Sequence, residues 1–224
     1  MKTIISFLCL CLICASTIIS CSSPLKVISF TEAVQDSLHV TFPKESFVQL
    51  SQSDSLWQLD MRYTTSDNFL HQPLYPCEAC FLRKQTAIQL YKAAQLFRSM
   101  GYTILLFDCY RPLYIQKKMW KQLPDANYVA NPKKGSLHNR GGAVDLSLLG
   151  PNGKEVEMGT AFDAFTPLAW HNAEGLSEEA KKNRLLLKSV MEQCGFKALK
   201  SEWWHYHLPD ISDYSLENKK WRCR

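Results

Sequence analysis

The sequence predicts one α+β domain, a small and mainly antiparallel sheet flanked by helices. Three observations predict it. Stretches with apolar residues at three- and four-residue steps are interspersed with short β-favouring runs. A turn at Pro151-Asn152-Gly153 folds one such run back on itself, which argues against a purely parallel sheet. Hydrophobic residues make up 46% and charged residues 21% of the 224, an ordinary globular balance. That balance excludes a disordered or collagen-like chain, and with a single long apolar run it excludes an all-membrane protein. The net charge of +5 (Lys+Arg 26, Asp+Glu 21) is small and spread out, so nothing points to nucleic acid.

The elements follow in order. Met1-Lys2 carries one positive charge, and 4–19 is almost wholly apolar, broken only by Ser6, Ser16 and Thr17. The run is too short to span a bilayer comfortably and reads as an export signal. Its end, Ser20-Cys21-Ser22-Ser23, resembles a bacterial lipobox, with Cys21 as the lipid-bearing residue; an ordinary cleaved signal with Cys21 as a bystander is the alternative. Residues 1–20 are thus expected to be a lipoprotein-type signal peptide, 21–45 a tether and 46–224 the domain. The protein is expected to be exported, in the periplasm or cell envelope, touching membrane only through the anchor. Disulfides are allowed there. Cys77, Cys80, Cys109, Cys194 and Cys223 then remain besides Cys21; five is odd, so at least one stays free or pairs elsewhere. Cys77-x-x-Cys80 has no second pair at zinc-finger spacing and suggests structural disulfides or plain thiols. Cys194 with Cys223 is the expected staple of the C-terminal tail.

Within the domain, Phe47–Leu50 and Leu59–Tyr63 read as strand pieces. Residues 64–82, rich in turn residues, read as a long loop able to wall a pocket. Ala87, Leu90, Tyr91, Ala94, Phe97 and Met100 mark a helix that Gly101 stops. Tyr102–Phe107 is a buried strand ending in Asp108-Cys109-Tyr110-Arg111-Pro112, and Pro112 opens a helix to about Leu123. A loop over 124–135 precedes a strand at Gly142–Leu149 and its return at Lys154–Met158. Ser177 caps a helix whose first turn holds Glu178 and Glu179 and which Gly195 ends. Phe196–Leu199 and Glu202–Leu208 are short strands.

Two segments carry chemistry: Gly135-Ser136-Leu137-His138-Asn139-Arg140-Gly141-Gly142-Ala143-Val144-Asp145, and Ser201-Glu202-Trp203-Trp204-His205-Tyr206-His207. A catalytic zinc takes three N/O ligands and keeps one position for water, whose pKa it lowers to about 7. His138, Asp145 and His205 meet that count and leave Glu202 as general base. Spacing is less favourable. Gly141-Gly142 makes a shared helical face for His138 and Asp145 implausible, and Glu202 and His205 would point to opposite faces of a regular strand. Spacing alone leaves open a bland alternative of solvated or core histidines beside an aromatic cluster.

The chain resembles the zinc D-alanyl-D-alanine dipeptidases, including the vancomycin-resistance type. Their Ser-x-His-x6-Asp motif matches Ser136, His138 and Asp145; Glu-Trp-Trp-His matches Glu202 to His205. Asp-x-Tyr-Arg-Pro matches Asp108 to Pro112, and Met-Gly-x-x-Phe-Asp matches Met158, Gly159, Phe162 and Asp163. Lesser echoes are Tyr63 with Asp67-Asn68-Phe69, Phe81-Leu82-Arg83 and Asn183-Arg184-Leu185-Leu186, so the likeness spans roughly 55–210. It implies the fold shared with D,D-carboxypeptidases and the Hedgehog signalling domain, one Zn2+ per chain on His138, Asp145 and His205, and Glu202 as proton carrier. It further implies Arg111 at the oxyanion, with Asp163 and Ser136 at the substrate's ammonium end. The expected substrate is D-Ala-D-Ala or a related peptidoglycan-derived peptide. Trimming of peptidoglycan stems by a D,D- or L,D-carboxypeptidase, and a non-catalytic zinc domain, are the alternatives. Trp203 and Trp204 are expected to pack around the site. His207 matches no family ligand and is expected at the surface or just behind the ligands, while His71 and His171 have no motif support and are expected to be ordinary histidines.

Overall fold

A computed structural model of the protein describes residues 27–28, 46–50 and 55–223. The expected signal peptide, Cys21 and all of 21–45 except Val27–Ile28 lie outside the described residues. The strands are β1 (Val27–Ile28), β2 (Phe47–Leu50), β3 (Trp57–Leu59), β4 (Cys80–Arg83), β5 (Thr103–Asp108), β6 (Ala143–Leu149), β7 (Lys197–Ala198) and β8 (His205–His207). The helices are α1 (Lys84–Ser99), α2 (Leu113–Gln122) and α3 (Glu178–Gln193).

The α+β class holds, with two sheets where one was expected. The larger has the order β3-β5-β6-β8-β7, with β3 parallel to β5 and every other neighbour antiparallel. The smaller joins β1, β2 and β4 in that order. Val27–Ile28, inside the stretch read as a tether, pairs in parallel with Phe47–Val48. Strand β4 was hidden in the turn-rich stretch because all four of its residues are buried, so it shows no alternation.

Each helix is placed by its apolar stripe. Ala87, Leu90, Ala93, Ala94 and Phe97 of α1 are fully buried, and the helix packs against α3 and β5. Ser177 caps α3, its Oγ accepting the Ala180 N–H at 3.0 Å. Gly101 and Gly195 take φ of 85° and 86° just past α1 and α3, as their stop role requires. Several strand expectations shorten. Residues 62–64 form a 3-10 turn instead of continuing β3. The return after Pro151-Asn152-Gly153 is a single bridge, Leu149 to Glu155, because residues 151–155 are exposed and have nothing to bury. Of Glu202–Leu208, only His205–His207 is strand.

Among the described residues the disulfides are Cys77–Cys223 and Cys80–Cys109, and Cys194 is a buried free thiol. The expected Cys194–Cys223 staple does not form. Trp221 packs on Tyr75, Phe81 and Tyr110, which carries the tail to Cys77 instead.

Candidate metal centre and cleft

The seven-residue step from His138 to Asp145 is resolved by a reversal, not a helix. His138–Arg140 is one 3-10 turn, Gly141 takes φ 73°, and β6 follows. A Cβ on Gly141 would lie 2.5 Å from the Phe47 ring, and one on Gly142 1.7 Å from Ile211 Cγ1, so both positions need glycine. Antiparallel pairing of β6 with β8 then sets Asp145 opposite His205.

Three ligand atoms converge. Asp145 Oδ1 is 2.9 Å from His205 Nδ1 and 3.3 Å from His138 Nε2, and the two imidazole nitrogens are 3.1 Å apart. All three residues are buried, with their ligand atoms within 4.8 Å of one another. His138 Nδ1 is 2.7 Å from the Cys109 backbone carbonyl. A carbonyl only accepts, so Nδ1 carries the proton and Nε2 turns its lone pair to the cluster. Converging lone pairs on two imidazoles and a carboxylate fit a divalent metal such as zinc. Burial alone would raise the Asp145 carboxyl, but His138 and His205 hold it well below the usual carboxylate range. Burial pulls the His138 imidazole down, while Asp145 and Asp108 outweigh it and leave it raised.

Glu202 sits in the turn before β8. Its N–H donates to the Leu199 carbonyl and its carbonyl accepts from the His205 N–H at 3.3 Å. This turn lets Glu202 and His205 line one cleft, which a regular strand forbids. Burial pushes the Glu202 carboxyl up to about 7. Arg111 is clamped from behind: Nε and Nη2 donate to Asp108 Oδ2 at 2.9 and 2.6 Å, and Nη1 donates to Gln116 Oε1 at 3.0 Å. Asp108 also accepts from Tyr75 Oη at 2.6 Å and from the Cys109 N–H at 2.9 Å.

Asp163 takes φ 57°, a strained backbone for a non-glycine residue. Tyr63 Oη donates to its Oδ2 at 2.9 Å. Burial, and next Asp145, push the Asp163 carboxyl well above the usual range, against the Tyr63 bond. Ser136 lines the same cleft; its Oγ accepts the His138 N–H at 3.3 Å and its own N–H donates to Asn139 Oδ1 at 2.7 Å.

The cleft has a volume of about 340 Å3, and every expected site residue of the domain lines it: Arg111, Ser136, His138, Asp145, Asp163, Glu202 and His205. Its wall differs from expectation. Phe69 is the contribution of 64–82, while residues 126–130 and Phe165 also line the cleft, with Tyr128 stacked on Phe165 at 4.6 Å. Trp203 and Trp204 are buried; Trp203 Nε1 donates to Thr160 and Trp204 packs on Phe162. His207 lines the cleft, its ring 5.5 Å from that of His205. Strand alternation was the available signal, since residues two apart share a face. His71 and His171 stay outside it, and burial lowers the His171 imidazole to about 4. Sequence reasoning gave no role to Tyr63, Asp108, Gln116 or the Cys109 carbonyl. Of these, Asp108 had a signal in a quoted motif and Tyr63 in a lesser echo.

Residues 44–221 match the family model described as D-ala-D-ala dipeptidase. The chain is 32% identical over 166 residues to the D-alanyl-D-alanine dipeptidase of Escherichia coli (strain K12), covering 74% of this chain and 86% of that one. It is 35% identical over 175 residues to the D-alanyl-D-alanine dipeptidase of Enterococcus faecium, covering 67% and 85%. Among solved structures it has a distant likeness, TM-score 0.37 at 16% identity over 62% of this chain and 78% of the other, to the vancomycin-resistance D,D-pentapeptidase VanY in complex with Zn(II).

Proposed function

The chain belongs to the D-Ala-D-Ala dipeptidase family of peptidases, and on that premise we propose that it is a zinc enzyme hydrolysing free D-Ala-D-Ala to two D-alanines. The observation that carries the reading is the convergence of a His138–Asp145–His205 cluster, Glu202, Arg111 and Asp163 on one cleft of about 340 Å3.

His138, Asp145 and His205 would hold one Zn2+. When bound, zinc supplies a water of lowered pKa and polarises the scissile carbonyl. The Glu202 carboxylate takes the proton of the attacking water, and the resulting acid returns it to the leaving amine. A carboxyl near 7 suits both tasks, because neither form is strongly disfavoured at neutral pH. Arg111 faces the developing oxyanion as a cation whose direction Asp108 and Gln116 have already fixed, so little reorganisation accompanies the reaction. Asp163 takes the substrate's ammonium, with Tyr63 holding the carboxylate in place.

The ammonium also decides between the dipeptidase and stem-trimming readings. A free dipeptide brings a cation that pairs with Asp163, whereas an acylated peptide brings none and forgoes that ion pair, which lowers its kcat/KM relative to the free dipeptide. A domain that only bound zinc would need neither Glu202 nor Arg111. We further propose export with a lipid on Cys21; two disulfides suit an oxidising compartment. Purified protein should release D-alanine from D-Ala-D-Ala, lose that activity to a chelator and regain it with added Zn2+. Activity indifferent to chelator would overturn the zinc reading, and no release of D-alanine would overturn the substrate.

A further inference from the structure

We propose that the Cys80–Cys109 disulfide is a positioning element of the metal centre, acting on His138 through the Cys109 backbone carbonyl. The inference rests on the zinc reading above.

Cys109 lies in the short stretch between β5 and α2, where the chain has left the sheet ladder and is not yet helical. Its two peptide groups are both committed to the site. The carbonyl accepts the His138 Nδ1–H at 2.7 Å, and the N–H donates to Asp108 Oδ1 at 2.9 Å, the carboxylate that clamps Arg111. The following residues bind the same loop from the other side. The Arg111 N–H donates to the His138 carbonyl at 3.1 Å, and Asn139 Nδ2 donates to the Arg111 carbonyl at 2.7 Å. Residues 109–111 are therefore the frame in which His138 is set.

That frame is fastened to the small sheet at β4. One backbone bond, from the Tyr110 N–H to the Phe81 carbonyl at 2.9 Å, runs beside the Cys80–Cys109 bridge. Cys80 and Cys109 are both fully buried, so the bridge sits inside the core and directly behind the metal ligand. The carbonyl that fixes the His138 tautomer is one bond from the Cys109 Cα that the bridge anchors. Without the bridge, the carbonyl's position depends on core packing and hydrogen bonds, with no cross-link to β4. Loss of such an outer partner of a ligating histidine typically weakens metal affinity about 10- to 100-fold.

The second disulfide is an internal control. Cys77–Cys223 spans 146 residues against 29 for Cys80–Cys109, and it ties down the C-terminal tail. On loop-closure grounds its removal frees the unfolded chain more and lowers folding stability at least as much. A purely structural role for Cys80–Cys109 therefore predicts that neither loss changes metal affinity.

The test compares Cys80→Ala/Cys109→Ala with Cys77→Ala/Cys223→Ala in the otherwise unaltered protein, each shown to be folded by circular dichroism at the assay temperature. Zinc affinity is read by competition with a chromophoric chelator, and melting temperature is read alongside. If the alanine pair does not fold, Cys80→Val/Cys109→Ala, which refills part of the lost volume, replaces it. The expected result is a zinc Kd raised about 10- to 100-fold for the 80/109 pair, and a wild-type Kd with a lowered melting temperature for the 77/223 pair. A wild-type zinc Kd in both pairs overturns the positioning role. A wild-type protein with no zinc affinity overturns the metal reading itself, and this inference with it.

Discussion

Asp108 and Asp145 stand opposite each other on β5 and β6, both buried, with the Arg111 guanidinium 2.6 Å from the first and 4.0 Å from the second. A register shift between Leu106 and Asp108 sets up this pairing. Two carboxylates placed so close would repel, yet they divide the labour: Asp108 faces the cation, and Asp145 faces the imidazoles of His138 and His205.

Asp108→Ala should therefore strand Arg111 as a buried, uncompensated charge. Breaking such a pair costs about 3–5 kcal/mol, to be read from urea unfolding. Turnover should fall as well, because of the guanidinium's side-chain hydrogen bonds only the one to Gln116 is left, while zinc content should match the wild type. Unchanged turnover in the folded variant would remove Arg111 from the oxyanion.

Glu202→Ala should bind zinc as the wild type does, because Glu202 is outside the ligand cluster. Its kcat should fall by about 100- to 10,000-fold, the usual worth of a positioned acid–base group. Zinc analysis of the dialysed protein beside steady-state kinetics checks both halves. Near-full activity would mean that another group moves the proton.

The pH profile follows from the same residue. On the proposed mechanism Glu202 acts first as a base, so the active form would be the carboxylate, and burial places its carboxyl at about 7. As pH falls through that value the carboxylate is lost, and kcat/KM should drop about tenfold per unit further down. A bound cation favours the carboxylate and moves the limb below 7, never above it. An acid limb lying above pH 7 would contradict the assignment.

Asp163→Ala should depress cleavage of free D-Ala-D-Ala far more than cleavage of an N-acylated peptide. Tyr63→Phe should do the same more weakly, since it removes one hydrogen bond to Asp163 and leaves the charge. The comparison is of kcat/KM on the two substrates, and equal losses on both would sink the ammonium clamp.

The sequence made His138, Asp145, Glu202 and His205 legible as residue types, but not as neighbours. Their meeting depends on the Gly141-Gly142 reversal and on the turn ahead of β8, and spacing rules for regular helices and strands describe neither. The helices were legible because a stripe, an N-cap Ser177 and terminal glycines act locally. Strand β4 was not, being buried on both faces amid turn residues. Disulfide partners were beyond reach because connectivity is set by where the tail packs; Trp221 on Tyr75 decides it. Tyr63 was missed as a partner of Asp163 because one hundred residues separate them and no local pattern links them.

The most direct test of the account measures D-alanine release by the zinc-loaded protein from free D-Ala-D-Ala and from an N-acylated peptide ending in D-Ala-D-Ala. Chelator-sensitive release from the free dipeptide, with little from the acylated peptide, is the expected result. Preferential cleavage of the acylated peptide would contradict it and make the enzyme a trimmer of stem peptides.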